Sequence, residues 1–298
     1  MKMSCKRCVF TLSEYTTSHG FWGSLLAGLL EPENNGFSPL NLLFSGSRRV
    51  TAGRGIVTGG RKKPFETALD IGCGSGQLTR SLSPYFNDVL GVDISPAQIG
   101  VAKTAQNPQN VSFSVGKAED LPVADSSLDL ITSASASHYF DWSMFPKEVN
   151  RVLKPNGCLA VLGFHHLYID HPNEAIRKKL DDCVESYFDY ENNVRLKDYS
   201  PIQYQHTKEG YRTLQVPFDD QKCVNVDLRY DISITDFIEC TKTYAAAVQL
   251  MKDNPGTSYF TDFKHSIMSI LGAEEPDVTM VKSRMPVFVR LARKPGKH

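Results

Sequence analysis

Hydrophobic and polar positions fall into a regular rhythm only after Pro64 of this 298-residue chain. From there, short apolar runs alternate with amphipathic stretches. The runs Thr67–Ile71, Val89–Asp93, Val111–Val115, Leu128–Ser133 and Cys158–Phe164 read as buried parallel strands. Helices are expected between them, from about Gly76 to Tyr85, from Pro96 to Ala105 and from Ser143 to Leu153. Ser95 supplies an N-cap for the second helix and Pro96 its first position. Lys154-Pro155-Asn156-Gly157 is expected to stop the third. Strands that alternate with helices give βαβ units and a parallel sheet, and right-handed crossovers bring the loops after the strands to one edge.

Beyond Phe164 the rhythm changes. Residues 165–235 read as an insertion on the substrate side of the domain, with a helix from Pro172 to Tyr187 and a polar stretch rich in tyrosine (Tyr190, Tyr199, Tyr204, Tyr211). Two alternating runs, Tyr211–Phe218 and Val224–Tyr230, look like strands. Helices over Asp236–Met251 and Ser258–Leu271 follow, and Val278–Val281 with Pro286–Ala292 suggests a closing hairpin. Residues 1–63 form a poorly patterned segment, a lid or a partly disordered leader, in which Phe21–Leu30 could supply a helical turn or two. The domain proper is expected over residues 64–298.

The chemistry concentrates at the first strand. Gly72, Gly74 and Gly76 stand at alternate positions between that strand and the following helix. Such a turn lets a ligand lie against bare backbone. A dinucleotide site would carry G-x-G-x-x-G with a diphosphate on the helix start. Here the third glycine comes one residue early, and Asp70 precedes the turn, where a carboxylate opposes a diphosphate and suits a cation. Asp93 ends the next strand, 17 residues after Gly76, at the place where a ribose diol is gripped. Glu119-Asp120, after strand three, offers a carboxylate to an adenine amino group and an adjacent backbone N–H to a ring nitrogen.

Ser135-Ala136-Ser137-His138-Tyr139 follows strand four. Its small residues leave room for an acceptor, and His138 is either a packing residue, a ligand contact or a general base. Asp141 reads as a helix cap. Tyr244, placed on a helix, either reaches the same region or packs in the core. His165-His166 and the single C-x-x-C at Cys5 and Cys8 lack the further ligands of a metal site, and no metal is expected.

Charge narrows the partners. Lys plus Arg and Asp plus Glu are 33 each, so no global field attracts nucleic acid or an anionic membrane. Seven cysteines, odd in number and irregular in spacing, fit reduced thiols in a cytoplasmic protein. No apolar run approaches the ~20 residues of a membrane span.

The segments Leu69–Gln77, Gly91–Ser95, Ala118–Pro122, His138–Asp141 and Arg151–Gly157 together resemble the class I S-adenosylmethionine-dependent methyltransferases of the type 11 group. Among these the chain is similar to the small-molecule enzymes related to trans-aconitate methyltransferase. The resemblance implies an α/β fold, a doubly wound, Rossmann-like, mostly parallel sheet of seven strands with the last antiparallel. It implies S-adenosylmethionine as cofactor, contacted by Asp70, Gly72, Cys73, Gly74, Gly76, Gln77, Asp93, Ile94, Ala118, Glu119, Asp120, Ser135 and His138. His138 and Tyr244 are the candidates on the acceptor side. Relatives usually carry Trp where Tyr139 stands, and an aromatic lid segment that residues 1–63 do not match. The expected activity is in-line methyl transfer to a small molecule, a carboxylate among the candidates, by a monomer or homodimer. The alternative is an inactive methyltransferase-like binding or regulatory protein.

Overall fold

The computed structural model describes residues 65–188 and 209–296. The expectations for residues 1–63, with the Phe21–Leu30 turn and the Cys5/Cys8 pair, and for Tyr190, Tyr199 and Tyr204 lie outside the described residues. The described chain falls into two compact units. One comprises residues 65–163, 209–224 and 288–296, and the other residues 164–188 and 225–287.

In the first unit, β1 (Phe65–Ile71) pairs in parallel with β2 (Phe86–Asp93) and β4 (Leu128–Ala134). On its far side β2 pairs with β3 (Val111–Val115), and β4 pairs with β5 (Leu153–Phe164), again in parallel. Helices α1 (Gln77–Leu82), α2 (Pro96–Thr104) and α3 (Phe145–Val152) connect them. The Ser95 hydroxyl caps α2 by accepting from the Gln98 amide, as its position before Pro96 predicted. In α3, Phe145, Val149 and Val152 recur at helical spacing and are fully buried against Leu69, Ile131 and Leu159 of the sheet.

The last strand, β8 (Met280–Arg293), runs against the others. The Asn156 amide donates to the Lys294 carbonyl, the Lys294 amide to the Gly157 carbonyl, and farther along the His165 amide to the Pro286 carbonyl. Strand β6 (Tyr168–Asp170) keeps the same register, with Tyr168 opposite Arg284. It is therefore β5 resumed after a break, on the same edge of β8. Strand β7 (Asp220–Ser233) takes the other edge, where the Ser283 hydroxyl donates to the Tyr230 carbonyl. With β5 and β6 counted as one interrupted strand, the eight strands make the expected sheet of seven, mostly parallel, with β8 antiparallel.

The second unit also holds α4 (Glu174–Tyr187), capped by the Asn173 side chain, and three further helices, α5 (Ile234–Thr241), α6 (Ala245–Asp253) and α7 (Tyr259–Leu271). No described helix is long and apolar enough to cross a membrane.

Four local expectations are corrected. The helix α3 does stop ahead of Lys154–Gly157, but β5 begins at Leu153 instead of Cys158, and this stretch is bulged strand, because Leu153 pairs with Leu128 and Asn156 adopts a left-handed φ of 66°. Asp236–Met251 is two helices. The Thr241 and Thr243 hydroxyls bond back to the carbonyls of Ile238 and Cys240, and Tyr244 is extended. The closing hairpin is the one strand β8. Tyr211–Phe218 is not a strand, since Tyr211 and Phe218 have φ of 57° and 76°.

What shapes that last segment is Arg290. Its guanidinium, 8% exposed, donates to the carbonyls of Tyr211, Arg212 and Leu214 and to the Gln221 side chain. Arg290→Met removes one donor from each of these carbonyls, of which those of Tyr211 and Leu214 keep the amides of Leu214 and Val216. It should lower stability by about 3 kcal/mol and the melting temperature by roughly 6–12 °C. An unchanged melting curve would show that the segment is held by something else.

Candidate functional site

The turn after β1 is built from backbone before any side chain enters. Gly72, Gly74 and Gly76 have φ of 66°, 54° and 85°. The amides of Gly72 and Cys73 both donate to the Val92 carbonyl at the end of β2. The Gly74 amide donates to Asp93 Oδ2 at 2.8 Å, and the Ser95 amide to Asp93 Oδ1 at 2.8 Å. A side chain on Gly72 would place its Cβ 2.3 Å from Ala136 Cβ, whereas one on Gly74 would meet only Gln98 Oε1, at 3.9 Å. The turn is therefore packed shut at Gly72 and open at Gly74.

That open side is a cavity of about 250 Å³ lined by Asp70, Gly72, Cys73, Gly74, Ser75, Gln77, Leu78, Gln98 and Ala134. Asp70 is 1% exposed. Its two oxygens accept from the hydroxyls of Thr79, at 2.7 Å, and Thr132, at 2.8 Å. Burial pushes its pKa from 3.8 up to about 6, and the two hydroxyls oppose that rise. A cation beside it would restore the anion. Cys73 also lines the cavity, but burial first, and then the neighbouring carboxylates, push its thiol well above the usual range.

Arg80 braces the turn from behind. It is 8% exposed and donates to the Ser75 carbonyl at 2.8 Å and to Asn107 Oδ1. Its buried Nε has no hydrogen-bond partner, and burial lowers its pKa.

The other expected residues are placed as follows. Asp93 ends β2, and Ile94 beside it is 67% exposed. Ala118 is buried in the core, Asp120 is exposed, and Glu119 Oε1 accepts from the Asp141 amide at 2.8 Å. That bond ties the loop after β3 to the loop after β4. Ser135 has a left-handed φ of 52° and donates its amide to the Leu162 carbonyl. His138 lies in a 3₁₀ turn, 7% exposed, with Nδ1 at 2.7 Å from the Tyr211 hydroxyl. Its ring leans on that of the half-exposed Tyr139, with centroids 4.1 Å apart.

Tyr244 belongs to the second unit. It stands at the N-cap of α6, its hydroxyl accepts from the Leu167 amide, and burial raises its pKa. Phe188 and His166 are its ring neighbours.

Sequence reasoning missed Thr79, Thr132, Arg80, Gln98 and Tyr211. Thr132 was within reach, since it stands directly opposite Asp70 across β1 and β4. Tyr211 reaches His138 across 73 residues of chain and left no local signal.

Comparison with known proteins agrees with this geometry. Residues 69–161 match the family described as a methyltransferase domain. A methyltransferase of Dictyostelium discoideum is 26% identical over 229 residues, covering 77% of this chain and 82% of its own length. The uncharacterised methyltransferase YcgJ of Bacillus subtilis is 31% identical over 170 residues, covering 55% of this chain but only 62% of its own. A solved structure, a type II methyltransferase from Anaeromyxobacter dehalogenans, superposes with a TM-score of 0.63 at 25% identity, covering 78% of this chain and 91% of that one.

Two stability measurements test the packing. Gly74→Ala should cost about 1–2 kcal/mol, for its left-handed backbone alone. Gly72→Ala adds the clash with Ala136 and should cost ~3 kcal/mol or more. Equal losses in denaturant titrations would contradict the arrangement.

For Asp70, the folded chain holds its proton to higher pH than the unfolded chain. It therefore binds more protons than the unfolded chain between pH 3.8 and about 6, and stability falls as pH rises through that window. Asp70→Asn keeps the hydroxyl partners without the charge. It should flatten this slope and raise stability at pH 7.5 by up to ~3 kcal/mol. A less stable variant at pH 7.5 would refute the assignment.

Proposed function

We propose, from the premise that this chain is a class I S-adenosylmethionine-dependent methyltransferase, that its acceptor is a small molecule and that a carboxylate oxygen receives the methyl group. The cavity suits the cofactor's chemistry: a bare backbone turn, open at Gly74, beside a buried carboxylate that no cation neutralises among the described residues. When bound, S-adenosylmethionine supplies a methyl group already activated by its sulfonium.

The residues have distinct roles in this reading. Asp70, fixed by Thr79 and Thr132, would hold the cationic amino group. Asp93 spends one lone pair of each oxygen on the amides of Gly74 and Ser95, and the remaining lone pairs would accept from the ribose hydroxyls. Ile94 presents an exposed apolar face on which a base can lie. Glu119 retains lone pairs beyond the one given to Asp141, enough to accept from an adenine amino group. Arg80 holds the turn at Ser75 while the ligand occupies its other face.

The observation that carries the acceptor class is the state of His138. Its Nδ1 is engaged by a buried phenol, 2.7 Å from the Tyr211 hydroxyl, at the nitrogen where a general-base histidine is commonly oriented by a carboxylate. An acceptor that is already ionised needs no proton removed. The protein then has only to align the oxygen with the breaking bond, near ~3–3.5 Å, and to exclude water.

Calorimetric titration with S-adenosylmethionine and S-adenosylhomocysteine is expected to give micromolar binding, weakened at least ~10-fold in Asp93→Ala, which removes both acceptors of the diol. With binding established, S-adenosylhomocysteine release is measured across a panel of small carboxylic acids, their amides, alcohols and amines. Turnover is expected with acids only. Turnover with alcohols or amines and none with acids would overturn the carboxylate assignment.

A further inference from the structure

We infer that Tyr211 is a positioning residue that holds His138 in one tautomer, with Nδ1 as hydrogen-bond acceptor and the ring proton on Nε2. The two groups lie 2.7 Å apart, and both are buried, Tyr211 completely. Of the two ways to share a hydrogen here, one is favoured by chemistry. An imidazole sp² nitrogen is a strong acceptor. A phenol oxygen is a weak one, because its lone pair is delocalised into the ring, and the phenol is the readier donor. The Tyr211 O–H therefore donates, and Nδ1 accepts.

The surrounding structure is built to deliver that hydroxyl. Tyr211 has a left-handed φ of 57°, directly after Gly210 at 61°. A bulky residue keeps such a backbone only where its surroundings over-determine it. Here Arg290 holds the carbonyl of Tyr211, and Phe288 meets its ring edge-on with centroids 4.9 Å apart. Phenylalanine would fill the same space. The hydroxyl is the part that reaches the imidazole. His138, in turn, lies two residues from Ala136, whose side chain abuts Gly72 of the glycine turn.

This pairing deepens the carboxylate reading and, in its functional consequence, rests on it. With the proton on Nε2, His138 cannot take up a further proton at that nitrogen.

The test reads the imidazole directly. Long-range ¹H–¹⁵N spectra of the full chain at pH 8, with His138 assigned by the signals lost in His138→Asn, should show Nδ1 bare and Nε2 protonated. Tyr211→Phe should move these signals toward a mixture of tautomers while the protein stays folded. Replacing Tyr211 by 3-fluorotyrosine keeps the shape and strengthens the donor, so it should shift Nδ1 the opposite way, and it serves even if Tyr211→Phe fails to fold. A proton found on Nδ1, or signals indifferent to both replacements, would overturn the inference. Protein that shows the expected tautomer but binds no S-adenosylmethionine overturns the proposed function and leaves this pairing standing.

Discussion

Four backbone amides decide where the glycine turn stands. Those of Gly72 and Cys73 converge on the Val92 carbonyl, and those of Gly74 and Ser95 on the two oxygens of Asp93. The end of β2 is thus the mould for the turn that leaves β1. Because the turn is fixed there, Asp70 is carried into the interior beneath it, α1 begins at Gln77, and α2 starts from Ser95 on the other side of the same carboxylate. Asp93 does structural work and still has lone pairs to offer a ligand. A single residue fastens the two strand ends and, through the Gly74 amide, holds part of the cavity wall.

Around this centre the acidic groups fall into two kinds. Glu148 accepts from the Leu121 amide and pairs with Arg151, which also bonds the carbonyls of Leu121 and Val123 and the side chain of Asp125. Asp129 accepts from the amides of Glu66 and Thr67 and pairs with Lys154. These carboxylates are matched by cations and fix loops or strand starts. Among the described residues, Asp70 is matched by neutral donors, the Thr79 and Thr132 hydroxyls and the Thr79 backbone. A buried acid left in that condition is less stable as an anion than in water, and such groups belong to binding sites more than to scaffolding.

The parts legible in the sequence were those governed by neighbours along the chain. Strand β3 matched its apolar run end for end, and Ser95-Pro96 announced α2, because caps and strand periodicity are local. The glycine turn and the paired acids Asp70 and Asp93 were equally plain. The failures were set by distant partners. Tyr211–Phe218 has the alternation of a strand, but Arg290 draws its carbonyls inward and bends it. Lys154–Gly157 has the composition of a turn, yet Lys294 pairs with it as strand. The split at Tyr244 follows from threonine hydroxyls that satisfy the preceding carbonyls, a choice periodicity does not encode. Tyr211 and His138 meet only once the sheet is assembled.

The depressed acidity of Cys73 has a practical side. Cys73 lines the cavity, but with the thiolate so disfavoured it is a poor nucleophile toward maleimides or iodoacetamides at neutral pH. Among the described cysteines, Cys223 on β7 is the exposed one. A fluorophore or spin label directed to these thiols should seat itself on β7 and leave the glycine turn unmodified, so that ligand entry can be followed without altering the cavity that receives it.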